Sequence, residues 1–446
     1  MITFLIIRKS QLEGAHRLDA EYYQPEYSDI RKDLQLAPTL ESLFTGMIRD
    51  PMGYGFNYEP LGIPYYRIDD LLDPFLSDNP VSISNGIHQK LKRTQLHYGD
   101  LIMAVRGATI GRLGLFINKT QANISPNVII LRPKDKNWSK YFAIFLSSRL
   151  GKTQIEWMLA GTGQPTITTD QIRKLRILTS KKLKEQIDVL YDDALDQFNK
   201  SQKLYAQAED LLLEEIGLKD FRADEDLYSI VNFSEIKSAN RMDTEYFQPK
   251  YESIMSLIRT NKGIALGELV TIKKGIEPGS EAYQEQGKLF IRVSSLSKDG
   301  MSGKDEKYLK DELYQKLKKD YQPKVGEILL TKDATPGIAY AVKEPIVGII
   351  AGGVLRLTLK EGIEPEYLAL VINSFVGQAQ VERDAGGSVI AHWKPDQVKE
   401  LQIPILSRSV QEKIAELARQ SHESRKKAKE LLESAKQKVE QLIERK

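Results

Sequence analysis

An eleven-residue segment occurs twice in this chain. Arg17-Leu-Asp-Ala-Glu-Tyr-Tyr-Gln-Pro-Glu-Tyr27 returns 224 residues later as Arg241-Met-Asp-Thr-Glu-Tyr-Phe-Gln-Pro-Lys-Tyr251, with seven of eleven positions identical. A repeat of this period restricts the fold to two copies of one module, because each copy of a sequence adopts the same local structure. A length of 446 residues agrees, being too long for one ordinary core.

The register continues through both halves. Gly62 to Leu71, with Arg67, faces Gly287 to Leu296, with Arg292, and both runs read as strands. Gly99-Asp-Leu-Ile-Met-Ala-Val-Arg-Gly-Ala-Thr-Ile-Gly111 faces Gly326-Glu-Ile-Leu-Leu-Thr-Lys-Asp-Ala-Thr-Pro-Gly337, a strand entering a glycine-bounded turn. Tyr141 to Gly151 faces Tyr367 to Gly377, a helix expected to close at its glycine, and Asp170-Gln171, Leu175 and Ile177 face Asp396-Gln397, Leu401 and Ile403. The unit is a strand-rich α/β (α+β) module present twice.

Each module ends in a long heptad-patterned segment. Ile187, Tyr191, Ala194, Phe198, Ser201, Tyr205, Ala208 and Leu212 step by fours and threes, and Gly217 is the expected stop. Offset by 227, the same positions are Ile414, Ala418, Ser421, Arg425, Ala428, Leu432, Ala435 and Val439, with Ser409 and Glu412 as the expected capping box. One seam is bulky and the other small, so helices over 184–216 and 410–445 are expected to pack antiparallel. A helix of about 30 residues spans about 45 Å, more than a single module needs. The alternative is that each helix packs on its own module.

Composition narrows the function classes. Hydrophobic residues make up 41% and charged residues 28%, the proportions of a folding globular chain. Without cysteine there is no disulfide framework, thiol nucleophile or cysteine-ligated zinc, which points to a reducing, cytoplasmic setting. The apolar runs Met1 to Ile7 and Val347 to Leu355 are far short of the ~20 residues of a membrane span, so neither a signal peptide nor a membrane partner is read. Net charge is only +3, yet residues 101–150 carry eight Lys/Arg (Arg106, Arg112, Lys119, Arg132, Lys134, Lys136, Lys140, Arg149) against Asp135. That excess is a candidate phosphate-facing surface, or simply a solvated basic face.

Catalytic groups are hard to assemble from this sequence. Gly151-Lys152-Thr153 ends like a P-loop, but Leu146 stands where the first glycine belongs. Met52-Gly-Tyr-Gly-Phe56 has no strand leading into it and reads as a surface turn rather than a cofactor loop. Asn79-Pro-Val81 lacks the second proline of the motif that amino-methyltransferases use to hold a target amine. Pro395-Asp396 with Glu444-x-Lys446 imitates a nuclease metal site, but its second half lies at the helix end, where solvated charges are ordinary. His16, His88, His97, His392 and His422 show no ligand spacing. No catalytic site, metal site or cofactor is expected.

The arrangement resembles the specificity subunit of type I restriction-modification enzymes, over nearly the whole chain. The resemblance rests on the run Gly99 to Gly111, the segment Gly161-Thr-Gly-Gln-Pro-Thr-Ile167 before Asp170-Gln171, the Arg-x-Asp-x-Glu-Tyr repeats and the two closing helices. It implies two tandem target-recognition domains, each reading one half of a split double-stranded DNA site, and an antiparallel coiled-coil spacer that holds two modification (methyltransferase) subunits. It leaves room for restriction subunits, and it assigns catalysis to those partners. The boundaries are then 1–180 and 218–406 for the recognition domains, with 181–217 and 407–446 for the helices. The second copy departs from the pattern, with Lys332-Asp-Ala-Thr-Pro-Gly337 in the turn and Gly386-Gly-Ser-Val-Ile-Ala-His392 for the Gly-x-Gly-Gln-Pro segment.

Phosphate contacts set register and a few polar side chains specify bases. On that footing the DNA-contacting candidates are Lys90, Lys92, Arg93, Arg106, Thr109, Arg112 and Gln164 in the first module, and Lys273, Lys274, Lys332, Thr335, His392 and Lys394 in the second. A solvated surface charge is the plain alternative for each lysine. Arg67 and Arg292 are expected in a structural ion pair common to both copies, and Tyr22, Tyr23, Tyr246 and Phe247 in the core. Two other functions stay open: a tandem-repeat adaptor that bridges proteins without touching DNA, and a standalone DNA-modifying enzyme that binds S-adenosylmethionine.

Overall fold

The computed structural model describes residues 20–49, 55–159, 166–219, 221, 228–239, 241–301, 306–385 and 392–444. Two compact units divide it, Met1–Gln197 with Lys427–Lys446 and Phe198–Lys426, so each holds one module and parts of both long helices.

In the first unit a four-stranded antiparallel sheet runs in the order Phe44–Ile48, Val128–Pro133, Leu101–Ala104, Leu113–Leu115. Leu101 to Val105 are fully buried, which accounts for the unbroken apolar run in place of alternation. A second sheet orders Val81–Ile83, Ile63–Tyr66 and Asn123–Ile124, the last pair parallel. The second unit repeats the plan. Its antiparallel sheet orders Ala339–Ala341, Ile328–Thr331, Val354–Leu359 and Val270–Lys274, and strand Lys288–Ile291 runs parallel to Gly348–Ile350.

The two copies share internal fastenings. Gln154 Nε2 donates to the carbonyls of Leu150 and Arg176 while its Oε1 accepts from the Arg176 N–H; Gln380 does the same with Val376 and Gln402. Tyr141 donates its hydroxyl to the Leu178 carbonyl at 2.7 Å and Tyr367 to that of Pro404 at 2.8 Å. Satisfying buried backbone groups in this way specifies one chain path, since each group left unmade would cost about 1–3 kcal/mol.

Gly151 and Gly377 do not close a helix. The break comes earlier, at Ser148 and Ser374, whose extended backbone separates helix Ser139–Ser147 from Arg149–Leu159 and Pro365–Asn373 from Phe375–Ala385. The glycines lie inside the second helix of each pair, where a Cβ would run into the carbonyl oxygen of Leu146 or Ile372. Close packing across the break, and not a left-handed stop, is what requires them.

The long helices span Lys181–Glu215 and Arg408–Glu444. All eight seam positions of the first are buried, from Ile187 to Leu212. Gly217, at φ 74°, closes it with bonds from the Gly217 N–H to Glu214 and from the Leu218 N–H to Leu213, the Schellman pattern expected of a glycine at that position. The second helix begins one residue before the expected capping box. Ser407 precedes it, accepting at its carbonyl from Val410 and Gln411, and Glu412 pairs with Arg408 at 2.9 Å. The helices pack antiparallel: Ser201 meets Ser421, and Gln186 receives a hydrogen bond from Lys438, so numbers rise along one helix as they fall along the other. Arg425, the odd member of the small seam, lies 4.5 Å over the Phe198 ring and pairs with Asp299 at 2.6 Å. Among the described residues no helix is long and apolar enough to cross a membrane.

Candidate nucleic-acid interface

Strand Leu101–Ala104 delivers the chain into a turn whose shape is fixed by its backbone. Gly107 (φ 79°) and Gly111 (φ 82°) adopt left-handed conformations, and the Gly111 N–H returns to the Ala104 carbonyl at 3.0 Å. The turn is tied to the segment at Thr166: Arg106 bridges Thr166, and the Ile167 N–H reaches the Val105 carbonyl at 3.2 Å. Arg106 is exposed, Thr109 and Arg112 are half-buried, and neither arginine has an acidic partner among the described residues.

Arg49 joins this turn. It follows strand Phe44–Ile48 and donates from Nε to the Pro126 carbonyl at 3.3 Å. Burial pushes its guanidinium below the ordinary arginine value, and the charge of Arg106 adds to the effect. Two like charges near each other, with no carboxylate paired to either among the described residues, are a standing cost that an anion would relieve. No sequence signal marked Arg49, because its approach to Arg106 depends on the pairing of strand Phe44–Ile48 with Val128–Pro133.

The basic excess of residues 101–150 is not one surface. Arg132 makes a bidentate pair with the fully buried Asp100 at 2.9 and 2.7 Å, Lys134 donates to the Ser42 carbonyl, Lys140 pairs with Asp192 and Arg149 with Glu26. In the second copy Glu327 holds the Asp100 position and lies 3.4 Å from Arg356, which stands two residues before Thr358, the counterpart of Arg132. Four of the eight basic residues therefore have internal partners. Lys90, Lys92 and Arg93 are exposed on the short helices Asn85–Lys90 and Lys92–Thr94, which follow strand Val81–Ile83 of the second sheet. Gln164, with Gly161 to Pro165, lies outside the described residues, as do Arg17 to Asp19, His16, Met1 to Ile7, Met52 to Tyr54, Gly386 to Ala391 and Lys446.

The second module gives two of the candidates internal partners. Lys332 is buried, its Nζ held by Asp333 at 2.5 Å, because the residue sits where Val105 does, on the inner side of the strand exit. Lys273 pairs with Asp320 at 2.8 Å and lies over the Tyr321 ring, so its charge is already matched. Lys274, Thr335, His392 and Lys394 are exposed. Thr335 caps the turn, its N–H on the Asp333 carbonyl and its own carbonyl accepting from Thr331 Oγ1. His392 bonds Asp333 at 2.8 Å, and Lys394 begins helix Pro395–Glu400 beside it.

The expected ion pair is present in the first copy. Arg67 lies 3.7 Å from Asp70, whereas Ser295 replaces that acid and accepts from the Arg292 backbone N–H. In the second copy the Arg-x-Asp segment has a structural basis: Arg241 grips Asp243 through Nε and Nη2, both at 2.7 Å, and lies over the Tyr246 ring. Tyr22, Tyr23, Tyr246 and Phe247 are half-buried edge-to-face pairs and not core residues. Asp396, offered by the nuclease pattern, pairs with Lys399 at its exposed helix end, and no metal-holding cluster occurs among the described residues.

Geometry thus defines a tandem protein in which one scaffold carries two chemically different polar turns. The chain belongs to the family of type I restriction-modification DNA specificity domains, whose model matches it twice, over residues 55–209 and 259–432. It is accordingly a DNA-specificity component of that kind of system. A comparison with curated proteins gives no match. Among solved structures, the type I restriction-modification S subunit from M. genitalium is similar over 91% of this chain and 94% of its own, at 14% identity and a TM-score of 0.41. The HsdS subunit from Thermoanaerobacter tengcongensis is similar over 90% of this chain and 94% of its own, at 13% identity and a TM-score of 0.28.

Proposed function

We propose that the chain is the non-catalytic sequence-reading subunit of a type I restriction-modification complex. Each module reads one half of a split, asymmetric site in duplex DNA, and the paired helices set the spacing and seat two methyltransferase subunits. Restriction subunits join where the complex also cleaves. The observation that carries the reading is the contrast between interior and turn: fastenings such as Gln154 and Gln380 are the same, while Arg106 and Asp333 differ at one position. A shared scaffold with unlike turns is what two different half-sites require, and linking the two readers raises affinity without new contacts.

Duplex binding at several salt concentrations tests this against the adaptor reading. A steep fall in affinity with salt supports DNA contact by cations. Absence of duplex binding by the chain, alone and with a methyltransferase subunit, overturns it. Methyl transfer from labelled S-adenosylmethionine by the chain alone would overturn the non-catalytic assignment, and methylome sequencing with and without the chain would reveal the site read.

A further inference from the structure

The turn after strand Ile328–Thr331 reverses the charge of its counterpart. An offset of 227 sets Val105 against Lys332, Arg106 against Asp333 and Gly107 against Ala334. Backbone geometry agrees with that register. The Trp393 N–H reaches the Lys332 carbonyl at 2.8 Å as the Ile167 N–H reaches Val105, Asp333 bridges His392 as Arg106 bridges Thr166, and Ala334 (φ 60°) keeps the left-handed conformation of Gly107.

A bare carboxylate at a DNA-facing turn would repel phosphate. Asp333 is not bare: Oδ2 takes Lys332 Nζ at 2.5 Å and Oδ1 takes His392 Nδ1 at 2.8 Å. Burial pushes its carboxyl upward, but the hydrogen bonds from His392 and Lys332 bring it below the ordinary aspartate value. Being ionised, Asp333 only accepts, so Nδ1 of His392 carries the proton. Of the two neutral tautomers, the one with Nδ1–H leaves Nε2 as the acceptor, on a side chain that is 64% exposed.

We propose that Asp333 is a positioning residue that fixes His392 in the Nδ1–H tautomer, so that Nε2 accepts from the exocyclic amino group of an adenine or cytosine in the major groove. The first module presents Arg106, a donor suited to guanine, at the place of Asp333, across the same bridge from which His392 reads in the second. The two half-sites are then read with opposite hydrogen-bond polarity at corresponding turns. This inference rests on the DNA-reading assignment above.

Histidine ring ¹⁵N correlation spectra of the full chain, free and bound to duplex, test the positioning. His392, assigned by the loss of its signals in His392→Ala, should show a protonated Nδ1 and an acceptor Nε2. Asp333→Ala should abolish that signature, and Asp333→Asn, whose amide oxygen still accepts, should restore it. Selection from randomised duplexes tests the reading. His392→Ala and Asp333→Ala should each lose about five- to tenfold preference for one adenine or cytosine in one half-site. The double variant should lose no more than either single one, and the other half-site should be unchanged. His392→Ala leaves the Lys332–Asp333 pair intact and keeps the test valid where Asp333→Ala fails to fold. A protonated Nε2 in the free or bound chain overturns the proposal, as does an unchanged preference or an equal loss at both half-sites. Wild-type chain that binds no duplex removes the underlying assignment, while the tautomer measured without DNA still reports on Asp333 separately.

Discussion

Ser421 Oγ donates to the Ser201 carbonyl at 2.8 Å and lies 3.2 Å from Ser201 Oγ, so two small polar residues face each other where the long helices cross their middle. Both are buried, and a larger residue at either place would have to push the helices apart. The thin seam is a fitted surface for Phe198 and Tyr205, not a weak one.

Ser421→Leu should therefore destabilise the protein by about 1–3 kcal/mol through overpacking. Ser421→Ala should cost about 1 kcal/mol by removing the hydrogen bonds while keeping the volume. Denaturant unfolding would check the order; equal stability for Leu and Ala variants would show that the seam has spare room.

Inserting one whole heptad at matched places in both helices preserves the a/d phase. If the pair spaces the readers, the nonspecific gap in the methylated site should widen by a small fixed number of base pairs while both half-site sequences persist. An unchanged gap, measured by methylome sequencing, would rule out the helices as the ruler.

Arg49→Ala, Arg106→Ala and Arg112→Ala separate two kinds of DNA recognition. Removing a cation that neutralises a phosphate should weaken all duplexes alike and lower the salt slope by about one unit, whereas removing a side chain that reads a base should cost about 1–3 kcal/mol at one position of the first half-site. We expect the first outcome for Arg49, whose guanidinium is anchored on the Pro126 carbonyl, and the second for the exposed Arg106. Titrations at several salt concentrations distinguish them.

His422 sits against Lys343 Nζ through Nδ1 and stacks on Tyr205. Burial, then the Lys343 charge, pushes its imidazole from 6.5 down to about 4; burial likewise pushes Lys343 down to about 8. For a group with a depressed folded value, the unfolded chain binds the proton first, so stability is lost as pH falls through the window from 6.5 to about 4. Denaturation midpoints should fall between pH 6.5 and 5, and His422→Phe should flatten that part of the profile.

The heptad seams were legible because eight spaced positions report one face, and burial follows them at every position but Arg425, which is half-buried. Repeat register was legible too, since the fastenings recur at nearly constant offset. Charges were read less well. Lys332 and Lys273 resemble any surface lysine until the fold sets Asp333 and Asp320 beside them, and Arg132 resembles Arg106 until Asp100 is seen below it. Such partners come from distant strands, which a linear pattern does not record. Asp333 was within reach, because the repeat already set it against Arg106.

The first compact unit draws on both ends of the chain, residues 1–197 and 427–446. A ribosome that has released Ile187, Tyr191 and Ala194 must still translate more than two hundred residues before Ala435 and Val439 emerge to cover them. The second unit is continuous, so we expect it to close before the helical part of the first is complete. Chains stopped after residue 426 should show fast hydrogen exchange in 181–197 while 198–426 stays protected; equal protection would contradict this order. Until the last helix arrives, the nascent protein carries an uncovered aromatic stripe, and that interval is when a chaperone has something to hold.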